Sequence, residues 1–199
     1  MPAVSTTTAG ERCASSSPAS GIATSEIILV GVVVADRLLD RAWLGDVVVE
    51  DLSYNPIAVM QRLEDEPPER RFTRAVVVAA VERGNRPPGA VTAYRWDGVL
   101  PNDEEIQRAV AEAVTGVIAL DNTLVVTRHF GGLPDEVVVI EVEPGVQEFG
   151  EDFSEPVAKV IDQVCDLAVA MATDAAAAAR LPAPDFGGAL PSVAGNRLG

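Results

Sequence analysis

The sequence is poor in the side chains that most metal and nucleophilic sites use. Its 199 residues include one histidine and two cysteines. The single His129 excludes any site that takes two or more histidines from one chain. Cys13 lies in a Ser/Thr-rich stretch and Cys165 on the apolar side of a predicted helix, so no disulfide is expected between them. Cysteines that stay reduced favour a cytoplasmic protein.

Several motifs with well-defined chemistry are also absent from the sequence. The first predicted strand is not followed by Gly-x-Gly-x-x-Gly, because Gly31 precedes three valines, and a dinucleotide site is therefore not expected. There is no P-loop, no Gly-x-Ser-x-Gly nucleophile turn and no Cys/His pairing at metal-ligand spacing. We therefore predict no cofactor.

Long apolar runs and an excess of positive charge are likewise missing. No run approaches the roughly 20 residues that a membrane-spanning helix needs, and the first residues lack a signal-peptide pattern. The net charge is −15 and the pI is near 4.3. Because such a surface repels phosphate backbones and anionic lipids, neither nucleic acid nor a membrane is an expected partner. The 48% apolar content suits one domain with a sizeable core.

The stretch Arg74–Gly89 is the centre of the predicted fold. Its uninterrupted apolar run from Ala75 to Ala79 is typical of a strand buried on both faces of a parallel sheet. In open α/β sheets, ligands bind beyond the carboxyl ends of such strands. At that end this strand offers only Ala79 and Ala80, and we therefore predict no reactive group there.

The alternation of strand-like and helix-like segments predicts a three-layer α/β/α sandwich with a mainly parallel, five-stranded sheet. The predicted strands are residues 26–30, 46–50, 75–79, 90–96 and 136–142, and the predicted helices start near Val34, Asn55, Asn102 and Ser154. Residues 1–25 are predicted to be a disordered leader, 26–172 the folded domain, and 173–199 a flexible Ala/Pro/Gly-rich tail.

Three polar residues are candidate site residues. Asp51 and Ser53 follow the second predicted strand, where they serve either the turn into a helix or a ligand. Asp121 interrupts an apolar helical segment, so it faces solvent, bonds locally with Asn122, or belongs to a site. If the helices bring the three together, they form a small-molecule or hydrolytic site.

Other charged residues are interpreted as surface. Glu82 and Arg83 are typical of a solvated turn, and Glu148–Asp152 of an exposed acidic loop. His129 is placed at a helix C-terminus, where it complements the helix dipole.

Three strings resemble the hydrogenase maturation protease family, the endopeptidases that trim the C-terminus of the nickel–iron hydrogenase large subunit. They are VVVAAVERGNRPPGAV (Val76–Val91), HFGGLPDEVVVIEVEP (His129–Pro144) and FGEDFSEPVAKVIDQV (Phe149–Val164). The resemblance covers about Glu26–Ala172. It implies a twisted sheet between helices, and a hydrogenase large subunit or a maturation factor as partner.

The resemblance also implies three nickel-reading positions, and this chain departs from the pattern at each. The family has an acidic residue after its first strand, an aspartate after its central strand and a histidine near its fourth helix. Here the first loop is missing after Gly31, the aspartate corresponds to Ala79, and the histidine falls near Ile118. Because an alanine or isoleucine side chain cannot bind a divalent cation, the resemblance implies a degenerate, catalytically impaired member. Two alternatives are a non-catalytic binding or assembly module of the same fold and a repurposed small-molecule site.

Overall fold

The computed structural model describes residues 2–6, 21–43, 46–116, 119–146 and 153–184. Within these residues, five strands form a single sheet in the spatial order β2-β1-β3-β5-β4. The strands are β1 (Pro2–Thr6), β2 (Val48–Asp51), β3 (Arg74–Ala80), β4 (Val91–Arg95) and β5 (Glu136–Val142). The β4–β5 pair is antiparallel and the other three pairs are parallel.

Helices lie on both faces of this sheet. They are α1 (Gly21–Leu39), α2 (Pro56–Glu64), α3 (Asp103–Val114), α4 (Leu120–His129), α5 (Glu155–Ala158), α6 (Ile161–Thr173) and α7 (Ala175–Ala179), with a 3-10 turn at Pro68–Arg70. The prediction of a mixed α/β fold is confirmed. None of the helices in the described ranges is long and apolar enough to cross a membrane.

The central strand β3 is buried along its whole length. Its even-numbered apolar residues pack with Val34 and Leu38 of α1 and with Ile161 of α6. Its odd-numbered residues pack with Leu120 and Leu124 of α4 on the opposite face. Because successive side chains of a strand point to opposite faces, a strand covered on both sides has to be apolar at almost every position. This explains the run that marked β3 in the sequence.

The first strand is not where the apolar pattern placed it. β1 lies at residues 2–6, within the predicted disordered leader, and pairs with both β2 and β3. Residues 26–30, predicted as the first strand, belong to α1, which already begins at Gly21. The predicted strand at residues 26–30 and the predicted helix start near Val34 are therefore wrong, and residues 2–6 of the predicted leader form a strand. A short apolar run such as EIILV suits a buried helix as well as a buried strand. Residues 7–20 lie outside the described residues.

The starts of α2 and α3 agree with the capping signals in the sequence. The side chain of Asn55 accepts a hydrogen bond from the Ile57 N–H at the start of α2, and that of Asn102 accepts one from the Glu105 N–H at the start of α3. Both agree with the predicted N-caps. In the predicted flexible tail, residues 175–179 instead form α7, and residues 185–199 lie outside the described part of the chain.

The turn after β3 is packed closely against the start of α5. Gly89 has a φ of 78°, and a Cβ at this position would lie 2.6 Å from the carbonyl oxygen of Pro156. Its N–H donates to the carbonyl oxygen of Glu143 at 2.8 Å. The turn is therefore held beside the carboxyl end of β5 and brings its polar residues to that end of the sheet.

A proline in β1 tests whether this segment is a strand inside the sheet. Val4 is paired with Val49 on one side and Val76 on the other. We expect Val4→Pro to lower the free energy of unfolding by on the order of 3 kcal/mol, because proline cannot donate to a ladder. Val4→Thr is the matched control, since it keeps the N–H and the branched shape. Equal stability of the two variants in chemical denaturation would contradict the placement of β1.

Candidate functional site

A cluster of charged side chains lies at the carboxyl ends of β3 and β5. Arg83 and Arg86 come from the turn after β3, Asp121 from the first turn of α4, Glu141 from β5, and Glu143 from the residue that follows it. We call these five residues the crest cluster. It stands at the edge of the sheet where ligands bind in open α/β folds.

Arg83 is the centre of the crest cluster. Its Nη1 donates to Asp121 Oδ2 at 3.0 Å and its Nη2 to Asp121 Oδ1 at 3.1 Å. The same Nη2 donates to Glu141 Oε1 at 2.5 Å, and Nε donates to Glu141 Oε2 at 3.3 Å. Bidentate contacts of this kind use the fixed fork of the guanidinium group. Arg83 therefore joins α4 to β5 through its side chain, which is only 8% exposed.

Arg86 extends the cluster toward β4. Its Nη2 donates to Glu141 Oε2 at 2.8 Å, its Nε to Glu143 Oε2 at 3.0 Å, and its Nη1 to Thr92 Oγ1 at 2.7 Å. Glu141 lies between Ala79 of β3 and Thr92 of β4 in the register of the sheet.

Glu143 holds the backbone of the turn that carries Arg83. Its Oε1 accepts hydrogen bonds from the N–H of Arg83 at 3.0 Å and of Gly84 at 2.9 Å. Gly84 has a φ of 72°, a conformation that suits glycine. The position of the Arg83 backbone is therefore fixed independently of its guanidinium group.

The surroundings of the crest cluster raise the pKa of Arg83 and that of the neighbouring Tyr94. Burial alone would lower the pKa of Arg83, but hydrogen bonds and charges of Asp121 and Glu141 outweigh it and raise the pKa. The hydroxyl of Tyr94 donates to Glu141 Oε1 at 2.9 Å. Burial, followed by the charge of Glu141, raises the pKa of Tyr94 well above its usual range. Arg83 is therefore a permanent cation here and Tyr94 a neutral donor.

The crest cluster does not fit a metal ion. Each carboxylate oxygen of Asp121, Glu141 and Glu143 already accepts at least one hydrogen bond. No group of three or more His, Cys, Asp or Glu side chains in the described residues is arranged to hold a metal. Two guanidinium groups stand among these carboxylates instead, and cations of this kind exclude another positive ion.

The three positions implied by the resemblance have different outcomes. Ala79 is fully buried in the apolar cluster of β3 and α4 and offers no ligand. Gly31 lies inside α1, so the inference that a loop is missing after it has lost its basis. The connection that follows β1, residues 7–20, lies outside the described residues, as does Ile118.

The three candidate residues that the sequence suggested make different hydrogen bonds in the structure. Asp121 belongs to the crest cluster; it is buried, and it bonds to Arg83 rather than to solvent or to Asn122. Asp51 accepts a hydrogen bond from the Ser53 N–H at 2.9 Å, which is turn chemistry. Within the described residues, neither Asp51 nor Ser53 makes a hydrogen bond or ion pair with Asp121.

Several charged residues were misjudged from the sequence. The interpretation of Arg83 as a solvated turn residue is wrong, and Glu141 and Glu143 were missed. The available signal was Glu141, a carboxylate in the otherwise apolar strand EVVVIEV, because a charge buried there needs a counter-charge. Exposed His129 ends α4, as predicted. The acidic segment Glu148–Asp152 lies outside the described residues.

Comparison with known proteins identifies the fold. Neither a protein-family model nor a curated protein matches the sequence. Among solved structures, the chain is similar to the endopeptidase HycI from Escherichia coli, with 19% identity over 86% of this chain and 91% of that chain and a TM-score of 0.52. The NiFe hydrogenase maturation protease HycI from Thermococcus kodakarensis KOD1 shares 15% identity over 87% and 92%, also with a TM-score of 0.52.

A further Escherichia coli endopeptidase shares 20% identity over 86% of this chain and 93% of that chain, with a TM-score of 0.52. At these identities the likeness establishes a fold and not a chemistry. The fold that the three sequence strings implied is therefore confirmed: the chain folds like the hydrogenase maturation proteases.

Removing the charge of Glu141 tests the energetic role of the crest cluster. We expect Glu141→Gln to lower the free energy of unfolding by about 3–5 kcal/mol, because it breaks a buried network while both guanidinium groups remain. The surface pair of Arg41 and Asp166 supplies the control, and Asp166→Asn should change stability by no more than about 0.5 kcal/mol. Similar losses in both variants by chemical denaturation would contradict this role.

The protonation of Tyr94 is open to direct measurement. Because its pKa is raised in the folded chain, the folded state keeps the proton that the unfolded state loses near about pH 10. Stability should therefore fall as the pH rises above about 10. We expect the phenolate absorbance of Tyr94 at 295 nm, taken as wild type minus Tyr94→Phe, to appear only on unfolding. A reversible step near pH 10 in the folded chain would contradict this assignment.

Proposed function

We propose that this chain is a hydrogenase maturation protease-like protein that binds the immature nickel–iron hydrogenase large subunit, or a maturation factor, without cleaving it. One observation carries the proposal. The edge of the sheet at which this fold would present a metal is filled by the crest cluster. The fold supports the hydrogenase partner, and the cluster supports the loss of proteolysis.

Peptide hydrolysis needs an activated nucleophile and a stabilised oxyanion. In the crest cluster, both guanidinium groups form ion pairs with carboxylates of the same cluster. The nearby hydroxyls of Thr92 and Tyr94 also bond within the cluster. Because these groups are buried and bonded to one another, the arrangement suits a structural network better than a hydrolytic centre.

The alternative of a repurposed small-molecule site at Asp51, Ser53 and Asp121 is less favoured. Asp121 is bound through both oxygens by Arg83, and Asp51 bonds to the backbone of Ser53. No observation draws the three residues toward a common ligand.

A cleavage assay tests the loss of proteolysis. We expect no loss of the C-terminal peptide, by mass spectrometry, when the purified chain is mixed with a nickel-loaded large-subunit precursor from its own cell. An active maturation protease with its own precursor serves as the positive control. Release of the peptide by this chain would contradict the proposal of an impaired protein.

Binding is tested separately by affinity purification of the tagged chain from its native cell. We expect a hydrogenase large subunit or a maturation factor to be recovered. An untagged strain supplies the control for non-specific recovery. Recovery of neither class of protein would contradict the partner assignment, whatever the result of the cleavage assay.

A further inference from the structure

The strand β4 forms one edge of the sheet, with β5 as its neighbour. The N–H of Trp96 donates to the carbonyl oxygen of Val137 at 2.9 Å. At the other end of the strand, the N–H of Glu143 donates to the carbonyl oxygen of Ala90, also at 2.9 Å. Because the residues of an antiparallel strand bond alternately to either side, the even-numbered residues of β4 face β5. The backbone groups of the other three residues point to the outer edge; these are Val91, Ala93 and Arg95.

One of these three outward positions is covered by the chain itself. The N–H of Arg95 donates to the carbonyl oxygen of Pro182 at 2.8 Å, and its Nε donates to that of Leu181 at 3.4 Å. Leu181 packs against the same apolar cluster as Val91 and Ala93. Among the residues that the structure describes, the outward backbone groups of Val91 and Ala93 have no hydrogen-bond partner.

The covering segment is placed by helix α7. Ala178 of this helix is fully buried in the apolar cluster, and its carbonyl oxygen accepts a hydrogen bond from the Leu181 N–H at 3.1 Å. At the start of α7, the side chain of Asp174 accepts from the N–H groups of Ala176 and Ala177 at 2.8 and 3.0 Å. Both ends of the helix are therefore fixed, and the segment that follows it is directed to the edge of β4.

An uncovered edge strand can pair with the same strand of a second copy. In a symmetric antiparallel pair centred on Ala93, the N–H of Arg95 would donate to the carbonyl oxygen of Val91 of the second copy, and the reverse. Pro182 already accepts from the Arg95 N–H, so it blocks such a pair at both of its ends. Because proline has no N–H to donate, Pro182 covers the edge without offering a new donor to another strand.

We propose that Leu181 and Pro182, which we call the edge cap, keep β4 from pairing with β4 of a second copy of this chain. Pro182 takes the Arg95 N–H that such a pair would use, and Leu181 attaches the edge cap to the apolar cluster. This proposal does not depend on the hydrogenase partner.

Amide hydrogen exchange in the full-length wild type, followed by NMR, tests the edge cap directly. After correction for intrinsic rates, we expect the Arg95 amide to exchange at least about 10-fold more slowly than the Ala93 amide, because the former is hydrogen-bonded to Pro182. The amide of Tyr94, which faces β5, supplies the protected reference. Equal rates for Arg95 and Ala93 would overturn the proposal.

The oligomeric state of a full-length variant tests what the edge cap prevents. Leu181→Asp detaches the edge cap, because a carboxylate is unfavourable against the apolar cluster. We expect analytical ultracentrifugation to show a concentration-dependent doubling of its mass from 20.9 kDa. The wild type should stay monomeric. Leu39→Asp is the matched control, since it makes the same change at an exposed position, and it should stay monomeric too.

The double variant Leu181→Asp/Ala93→Pro shows whether the association uses β4. Ala93→Pro removes an outward N–H that β5 does not use, and proline is tolerated at such a position of an edge strand. We expect the double variant to be monomeric, whereas association through uncovered apolar side chains would persist in it.

The proposal is overturned if folded Leu181→Asp stays monomeric, if the wild type or Leu39→Asp associates equally, or if Ala93→Pro does not suppress the association. Should Leu181→Asp fail to fold, the exchange rates of Arg95 and Ala93 in the wild type decide the proposal on their own.

Discussion

The contact of Arg83 with Asp121 and Glu141 is the interaction on which the functional end of this sheet depends. Three carboxylates are buried where β3 and β5 end, and a buried carboxylate is unfavourable unless a cation and hydrogen-bond donors compensate it. Arg83 supplies the positive charge and the donors to α4 and to β5 together, because its planar guanidinium group offers donors in several directions. The turn after β3, the first turn of α4 and the end of β5 therefore form one unit.

The apolar character of β3 makes this network possible. Helices cover both faces of the strand, so the chain carries its charges in the turn beyond the strand and in the neighbouring β5. Ala79 lies beside Glu141 in the register of the sheet. Ala79, which made the end of the strand look free of reactive groups, is thus a sheet neighbour of one member of the crest cluster.

The sequence predicted those parts of the fold that local signals determine. The apolar runs located β3 and β5, and the caps at Asn55 and Asn102 located two helix starts. The sequence did not predict β1, because PAVST is short and weakly apolar and because its two neighbours in the sheet are distant in sequence. The burial of Arg83 was not predicted either. It follows a strand and precedes a glycine, as many exposed turn residues do, and its partners Asp121 and Glu141 are 38 and 58 residues further along the chain.

A guanidinium group and a metal ion can hold the same carboxylates, but they differ in what a protein can do with them. A metal ion binds reversibly, so the occupancy of its site depends on the metal concentration or on a bound partner. An arginine is covalently attached and permanently charged, so the carboxylates around it always keep their counter-charge. In this chain the carboxylates of Asp121 and Glu141 are held by the guanidinium group of Arg83. The ion pairs of Arg83 therefore fix how the turn after β3, the first turn of α4 and the end of β5 are arranged at this edge of the sheet.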